Sequence, residues 1–409
     1  MADKRAGDGP LAGMRVLELA QIMAGPTAGM LLADMGADVV KVEKLPGGDD
    51  SRDYNEPRVN GVSAPFLMLN RNKRGIAVNL KLAQGRDILL RMVRDADVLT
   101  ENYRKGTLDK LGLGYDVLRR ANPGLIYCAV SGYGREGPYA DKGGFDLIAQ
   151  GFAGLMSITG EPGGPPVKTG NSVADINAGI LAVVGILAAY AHKLRTGEGQ
   201  VVETSLMEAA LQQTYWHAAM HFATGESPGA TGSAHILTAP YQAFRASDGW
   251  INVGGANQSN WERICDVLGH PEWRDDVRFR TNRDRMSNLD VLASAMNDVI
   301  GTRSKAEWMD AFDGAGVPAG PVHTIGEALA HPQTLARGMV VDLVHPRAGA
   351  TKAIGCPVHF SATPASVTRP APVLGEHTRE VLRGYGYGDA DIDSLVAQGV
   401  VGEAGSEAR

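Results

Sequence analysis

Three stretches near the N-terminus decide the fold: Met14-Arg-Val-Leu-Glu-Leu-Ala20, Gln21-Ile-Met-Ala-Gly25-Pro-Thr-Ala-Gly29 and Ala37-Asp-Val-Val-Lys-Val-Glu43. The first and third are short, largely apolar runs, the third rich in valine, and read as strands. Gly25-Pro26 opens a helix, because proline in a first turn costs no hydrogen bond. Residues 27–35 carry that helix and Gly36 ends it. A β-loop-α-β unit of this kind starts a doubly wound α/β sheet. Further strand-like runs follow at 75–79, 97–100 and 125–130, with helical patterns at 84–95 and 107–120. Residues 11–210 therefore read as one open parallel sheet covered by helices. Residues 240–330, with the strand Trp250-Ile-Asn-Val-Gly254 and helices rich in tryptophan and charge, read as a smaller α/β unit. Strand-like runs return at 335–361, and 375–401 reads as helical.

At 409 residues the chain is too long for one ordinary core, and two domains are expected. Forty basic against 46 acidic residues, with no long basic tract, gives no support for nucleic-acid binding. Cys128, Cys265 and Cys356 lie far apart, in no metal or disulfide spacing, which points to a reducing compartment. The first ten residues lack the apolar core of a signal peptide, so the expected location is cytoplasmic. Residues 176–191 are the best membrane candidate. Asn177 and two glycines interrupt that run, and a span needs about 20 apolar residues, so a core helix is the preferred reading.

Glu43 ends the second strand, where an acid can hold a ribose hydroxyl. The turn after the first strand lacks G-x-G-x-x-G, however, and Pro26 removes an N–H that would cradle a pyrophosphate, so a nicotinamide or flavin site is disfavoured. No G-x-S-x-G elbow and no P-loop occur. His217 and His221 have zinc spacing but no intervening acid, and a structural role is preferred; no metal is expected. Lys44, Asn72-Lys73-Arg74, Lys81, Arg104, Lys105 and Lys110 flank strand ends. Cations gathered at the carboxyl ends of a doubly wound sheet suit a phosphate-rich ligand; solvated surface charge is the alternative. Asp175, in Gly170-Asn-Ser-Val-Ala-Asp175-Ile-Asn-Ala-Gly179, stands directly before the apolar run Ile180 to Tyr190. A carboxylate at the mouth of a packed helix needs a reason, because burying a charge is costly. Read on the residues alone, it is a cap, a base or a nucleophile.

From Leu11 to Val401 the chain resembles the class III CoA-transferases, a family that also holds α-methylacyl-CoA racemase and formyl-CoA transferase. The motifs are Ala24-Gly-Pro26, Met35-Gly-Ala-Asp-Val-Val-Lys-Val-Glu43, Asn72-Lys-Arg74, Glu101-Asn-Tyr103 and Gly132-Tyr-Gly-Arg-Glu-Gly-Pro138. They continue with Asp175-Ile-Asn-Ala-Gly179, Arg195-Thr-Gly-Glu-Gly-Gln200, Gly316-Val-Pro-Ala-Gly-Pro321 and Leu374-Gly-Glu-His-Thr378. The resemblance implies a Rossmann-like large domain from residues 1–212 and 335–409, a small domain at 225–325, and linkers at 213–224 and 326–334. It implies two chains threaded as interlocked rings. It implies no tightly bound cofactor, with a CoA thioester as substrate and a carboxylic acid as acceptor. Asp175 would be the nucleophile, passing through a mixed anhydride and an aspartyl-CoA thioester. CoA would be held by Gln21, Ile22, Met23 and Ala24 beside the thioester, and by Lys44, Val78, Lys81, Asn102, Tyr103, Lys110 and Phe145. Met23 stands where the formyl-CoA branch has glutamine, and that branch's run of lid glycines is missing near Gly229–His235, which argues against formyl-CoA and oxalate. Phe145 occupies the racemase histidine position and cannot transfer a proton, which favours a transferase. Succinyl-CoA is the expected donor and a dicarboxylic acid the expected acceptor, with Arg71, Arg104 and Arg135 as candidate acceptor-binding cations.

Overall fold

A computed structural model describes residues 9–405. They cluster into two compact units. The first takes in residues up to 155, 169–216 and from 332 onward; the second takes in 156–168 and 217–331. The segment 156–168 thus groups with the second unit, and most of 213–224, expected as linker, is the helix Tyr215–Thr224.

The first unit is built on a seven-stranded sheet. Its strands are β1 (Arg15–Glu18), β2 (Asp38–Glu43), β3 (Arg74–Val78), β4 (Val98–Glu101), β5 (Ile126–Ser131), β6 (Val201–Ser205) and β7 (Val401–Gly402). Their spatial order is β7-β3-β2-β1-β4-β5-β6. The chain therefore winds outward from β1 in both directions, and the strand order reverses between β1 and β4. Both faces are covered, so the strands read as continuous apolar runs rather than alternating ones. Leu17, Val40, Ile76 and Leu99 meet in the core of this unit.

One edge corrects the expected all-parallel sheet. The helical reading of 375–401 stops short of its end. After Thr378–Gly384 and Asp389–Ala397, Gly399 turns the chain at φ +67°, and β7 pairs antiparallel with β3, Val401 opposite Val78. The 107–120 helix is also two pieces, Thr107–Lys110 and Tyr115–Ala121, because Gly112 adopts φ +71° between them.

Two helices position the site. Helix α1 (Ala24–Asp34) starts earlier than residue 27, because the Thr27 N–H reaches the Met23 carbonyl at 2.8 Å and closes the first turn around Pro26. Helices α2 (Ala83–Val93) and α3 (Asp146–Phe152) lie further along the chain. Helix α4 (Val173–Thr196) ends at Gly197 in a left-handed cap. It is the one helix among the described residues long and apolar enough to cross a membrane. Ala174, Ala178, Ala182, Ile186 and Ala189 recur at helical spacing and are buried within the unit. A Cβ added at Gly179 would lie 2.6 Å from the Ala24 carbonyl oxygen and 2.7 Å from Thr27 Cβ. The missing side chain is what lets α4 approach the start of α1.

The second unit has its own sheet, with Gly249–Gly254 antiparallel to both Tyr241–Ala246 and Ala319–Pro321. Its core gathers Trp261, Ile264, Met296, Trp308 and Phe312. The Trp308 indole N–H is satisfied by the Ile300 carbonyl at 2.7 Å.

Glycine to alanine inside a helix ordinarily stabilises by up to about 1 kcal/mol. Gly179→Ala is expected to do the reverse, costing about 1–3 kcal/mol by forcing α1 and α4 apart. The urea unfolding midpoint measures it; an unchanged or raised midpoint contradicts the close approach.

Candidate active site

In an open α/β sheet the ligand crevice lies beyond the carboxyl ends of the strands, where the strand order reverses. Here that is the edge where β1 and β4 end. A cleft of about 350 Å³ opens there. Its lining includes Gln21 to Ala24 after β1, Asn102 to Lys105 after β4, Ser131 at the end of β5 with Gly132 after it, residues 140–145, and Asp175.

The loop after β1 is tied to the loop after β4. The Asn102 side chain accepts from the Gln21 N–H and donates to the Gln21 carbonyl, each at 2.8 Å. The 132–145 segment folds tightly on itself: a Cβ at Gly144 would lie 2.8 Å from the Gly132 backbone. That close approach frees Gly143, Gly144 and Phe145 to form one wall. The cleft also carries cations, Arg104, Lys105 and Lys142.

Asp175 sits in the first turn of α4, one turn before Gly179 and so on the same helical face. No hydrogen bond to its carboxylate is present among the described residues. Burial, and secondly the charge of Asp146, push its pKa up from 3.8 to about 7. Asp146 also holds the helix end, accepting the Ala174 N–H at 2.9 Å and the Gln150 amide at 2.6 Å. Asp146 thus raises the Asp175 pKa and secures the helix start beside it.

The anticipated contacts divide. Gln21, Ile22, Met23, Ala24, Asn102, Tyr103, Phe145 and Asp175 come together in the cleft. Lys44 reaches its edge, bonded to Asp50 and 3.5 Å from the Gln21 side-chain oxygen. Lys81 and Lys110 are exposed and do not line it. Val78 is 1% exposed, packs in the sheet core and does not line the cleft. Glu43 is likewise engaged, clamped by Arg52 at 2.6 Å and by the Asp49 N–H at 3.0 Å. Of the three candidate arginines, Arg71 is buried against Asp34 at 2.6 Å and Arg135 pairs with Glu101. Arg104 alone of the three lines the cleft. Among the described residues no group of three His, Cys, Asp or Glu side chains is placed to hold a metal ion, and His217 and His221 gain no third ligand.

Comparison with known proteins gives the family. A model of a family described as CoA-transferase family III matches residues 11–378. The chain is similar to a succinate–glutarate CoA-transferase of Agrobacterium fabrum, 40% identical over 379 residues, covering 91% of this chain and 95% of that one. It is similar to the succinyl-CoA:glutarate CoA-transferase of Mus musculus, 36% identical over 393 residues, covering 96% and 90%. A solved CAIB/BAIF family protein from Brucella suis superposes with a TM-score of 0.83 at 36% identity, covering 92% of this chain and 99% of that one.

A carboxyl whose folded pKa is raised favours folding below its unfolded pKa and loses that contribution as pH rises through the folded value. For Asp175 the window runs from about 3.8 to about 7. Asp175→Asn is therefore expected to raise the unfolding temperature by a few degrees at pH 8 and by less at pH 5, the gain being tempered by partial exposure. Equal effects at both pH values contradict the shifted carboxyl.

Proposed function

Because the chain belongs to CoA-transferase family III, we propose that it moves CoA from succinyl-CoA to a dicarboxylic acid through covalent intermediates on Asp175. The observation that carries this reading is a half-buried carboxylate with no hydrogen-bond partner among the described residues, facing a cleft at the strand-order reversal that carries Arg104, Lys105 and Lys142 beside Asp50 and Asp141. Carboxylates are weak nucleophiles in water, and desolvation strengthens them.

The Asp175 carboxylate attacks the thioester carbon, the C–S bond breaks, and CoA thiolate leaves a mixed anhydride. Thiolate then attacks the Asp175 carbonyl carbon and expels the donor as its carboxylate, which leaves an aspartyl-CoA thioester. The acceptor carboxylate attacks that thioester, thiolate departs again, and its return to the acceptor acyl carbon releases Asp175. Each tetrahedral stage develops an oxyanion. The first-turn N–H groups of α1, at residues 23–25, have no partner within the helix and line or adjoin the cleft, which suits them to that charge. Phe145, at the cleft wall, has no proton to transfer and speaks against α-carbon racemisation.

The dicarboxylic acceptor draws support from two sides: both named relatives above carry glutarate in their names, and Arg104 lies in the cleft. Its guanidinium suits the carboxylate that does not react. We also propose a homodimer, supported by large apolar side chains left open on the first unit, including Phe145, Phe152, Val184 and Trp216.

Asp175→Ala is expected to abolish exchange between succinyl-CoA and glutarate while CoA binding by calorimetry persists; undiminished turnover refutes the nucleophile. Arg104→Leu is expected to lower kcat/KM for glutarate roughly 10- to 100-fold, the value of a charge-assisted contact, and to spare butyrate. Equal losses on both acids contradict the role given to Arg104.

A further inference from the structure

The loop before α1 holds an uncommon backbone conformation. Ile22 sits at φ +66°, a left-handed value at which a β-branched side chain is strained. Such strain persists only where the surroundings over-determine it. Asn102 brackets Gln21 from one side, as described above. From the other side Asp49 accepts the Ile22 N–H with both carboxylate oxygens, at 3.0 and 3.2 Å. Lys41 donates to the Ala20 carbonyl at 2.9 Å. Lys41 is itself paired with Asp49 at 2.8 Å and with Glu18 at 3.0 Å, and all three side chains are buried. Neither Asp49 nor Lys41 lines the cleft.

We propose that Asp49 is a positioning residue for the transfer reaction: with Lys41 it clamps the backbone on both sides of Gln21, holds Ile22 left-handed, and so sets the first turn of α1 against Asp175. This rests on the reading of Asp175 as the reacting carboxylate. A buried ion pair gives little net stability over an apolar pair of similar size. Its placement directly behind the site loop gives this pair a different use. An ionised acceptor holds the N–H more strongly than a neutral one, and its buried charge must be balanced, which Lys41 does from strand β2. Burial pushes the Asp49 carboxyl up, but the charge and hydrogen bond of Lys41, with the bonds from Ser51, outweigh it and hold it at about 2. Asp49 therefore remains an ionised acceptor wherever Asp175 is ionised.

Three variants separate positioning from mere structural support. Asp49→Asn keeps one acceptor oxygen for the Ile22 N–H. Asp49→Ala removes the acceptor and leaves Lys41 in excess. Lys41→Met combined with Asp49→Ala restores the charge balance but still leaves Ile22 ungripped. The readouts are unfolding temperature, amide hydrogen exchange over residues 20–25, and kcat and KM with succinyl-CoA and glutarate. The double variant is expected to recover most of the unfolding temperature lost in Asp49→Ala. Its kcat is expected to stay roughly 10- to 100-fold low with KM for succinyl-CoA within about threefold, and its loop amides to exchange fast. Asp49→Asn is expected to fall between it and the parent. A kcat that recovers along with stability in the double variant, or loop exchange that stays at the parent rate, overturns the proposal. Failure of the parent enzyme to use this substrate pair would count against the substrate reading instead, and the exchange rates would still decide this one.

Discussion

The contact on which the site depends is the crossing of α4 over the first turn of α1. At Gly179 the two helices stand closer than any Cβ permits. Asp175 lies one turn earlier on the same face, so this contact carries it to the loop that follows β1. The sheet supplies the rest. The strand order reverses beside β1, which leaves a crevice that the loops after β1, β4 and β5 must edge. A carboxylate from a helix distant in sequence thus arrives at the place where an α/β sheet ordinarily binds its ligand.

The floor behind that crevice is ionic. Lys73 donates to Glu18, Asn70 and the Pro26 carbonyl at 2.9, 2.9 and 3.0 Å, and Lys41 meets Glu18 from the neighbouring strand. Position 29 must be glycine here, since a Cβ there would fall 1.7 Å from Glu18 Oε2. A network of this kind carries a large desolvation cost, recovered only when every partner is in place. It rigidifies the ground on which α1 starts. The cleft in front of it keeps charges of another sort, with Arg104, Lys105 and Lys142 at the lining and free of any such cage.

Much of this was legible in the chain, for identifiable reasons. The strands β1 to β5 and helix α4 announce themselves by apolar runs and punctuating glycines. The residues singled out from the loops after β1 and β4, with Phe145 and Asp175, converge on one cleft because loops at one sheet edge must. What stayed hidden depends on direction and depth. Lys73 and Arg74 looked like ligand cations, but Lys73 is spent on Glu18, Asn70 and the Pro26 carbonyl, and Arg74 on Asp38 and Glu380. Val78 faces the core, which a strand pattern with both faces covered does not reveal. Asp146 and Asp49 act through backbone N–H groups, and such partnerships leave no trace in residue spacing. The β7 edge was missed because two residues after a helix carry too short a pattern to read.

As the proposed nucleophile, Asp175 must exchange an oxygen atom with its substrates. Each turnover by the anhydride route releases one Asp175 oxygen in the departing donor acid and installs one from the acceptor. Turnover with succinyl-CoA and glutarate labelled with oxygen-18 in its carboxylates, followed by digestion and mass analysis of the peptide containing Asp175, reads this directly. The account requires a gain of about 2 Da after one turnover, rising toward about 4 Da with many, and confined to Asp175. An unlabelled Asp175 peptide in an enzyme that has turned over would mean that CoA passes between the acids without this carboxylate, and would contradict it.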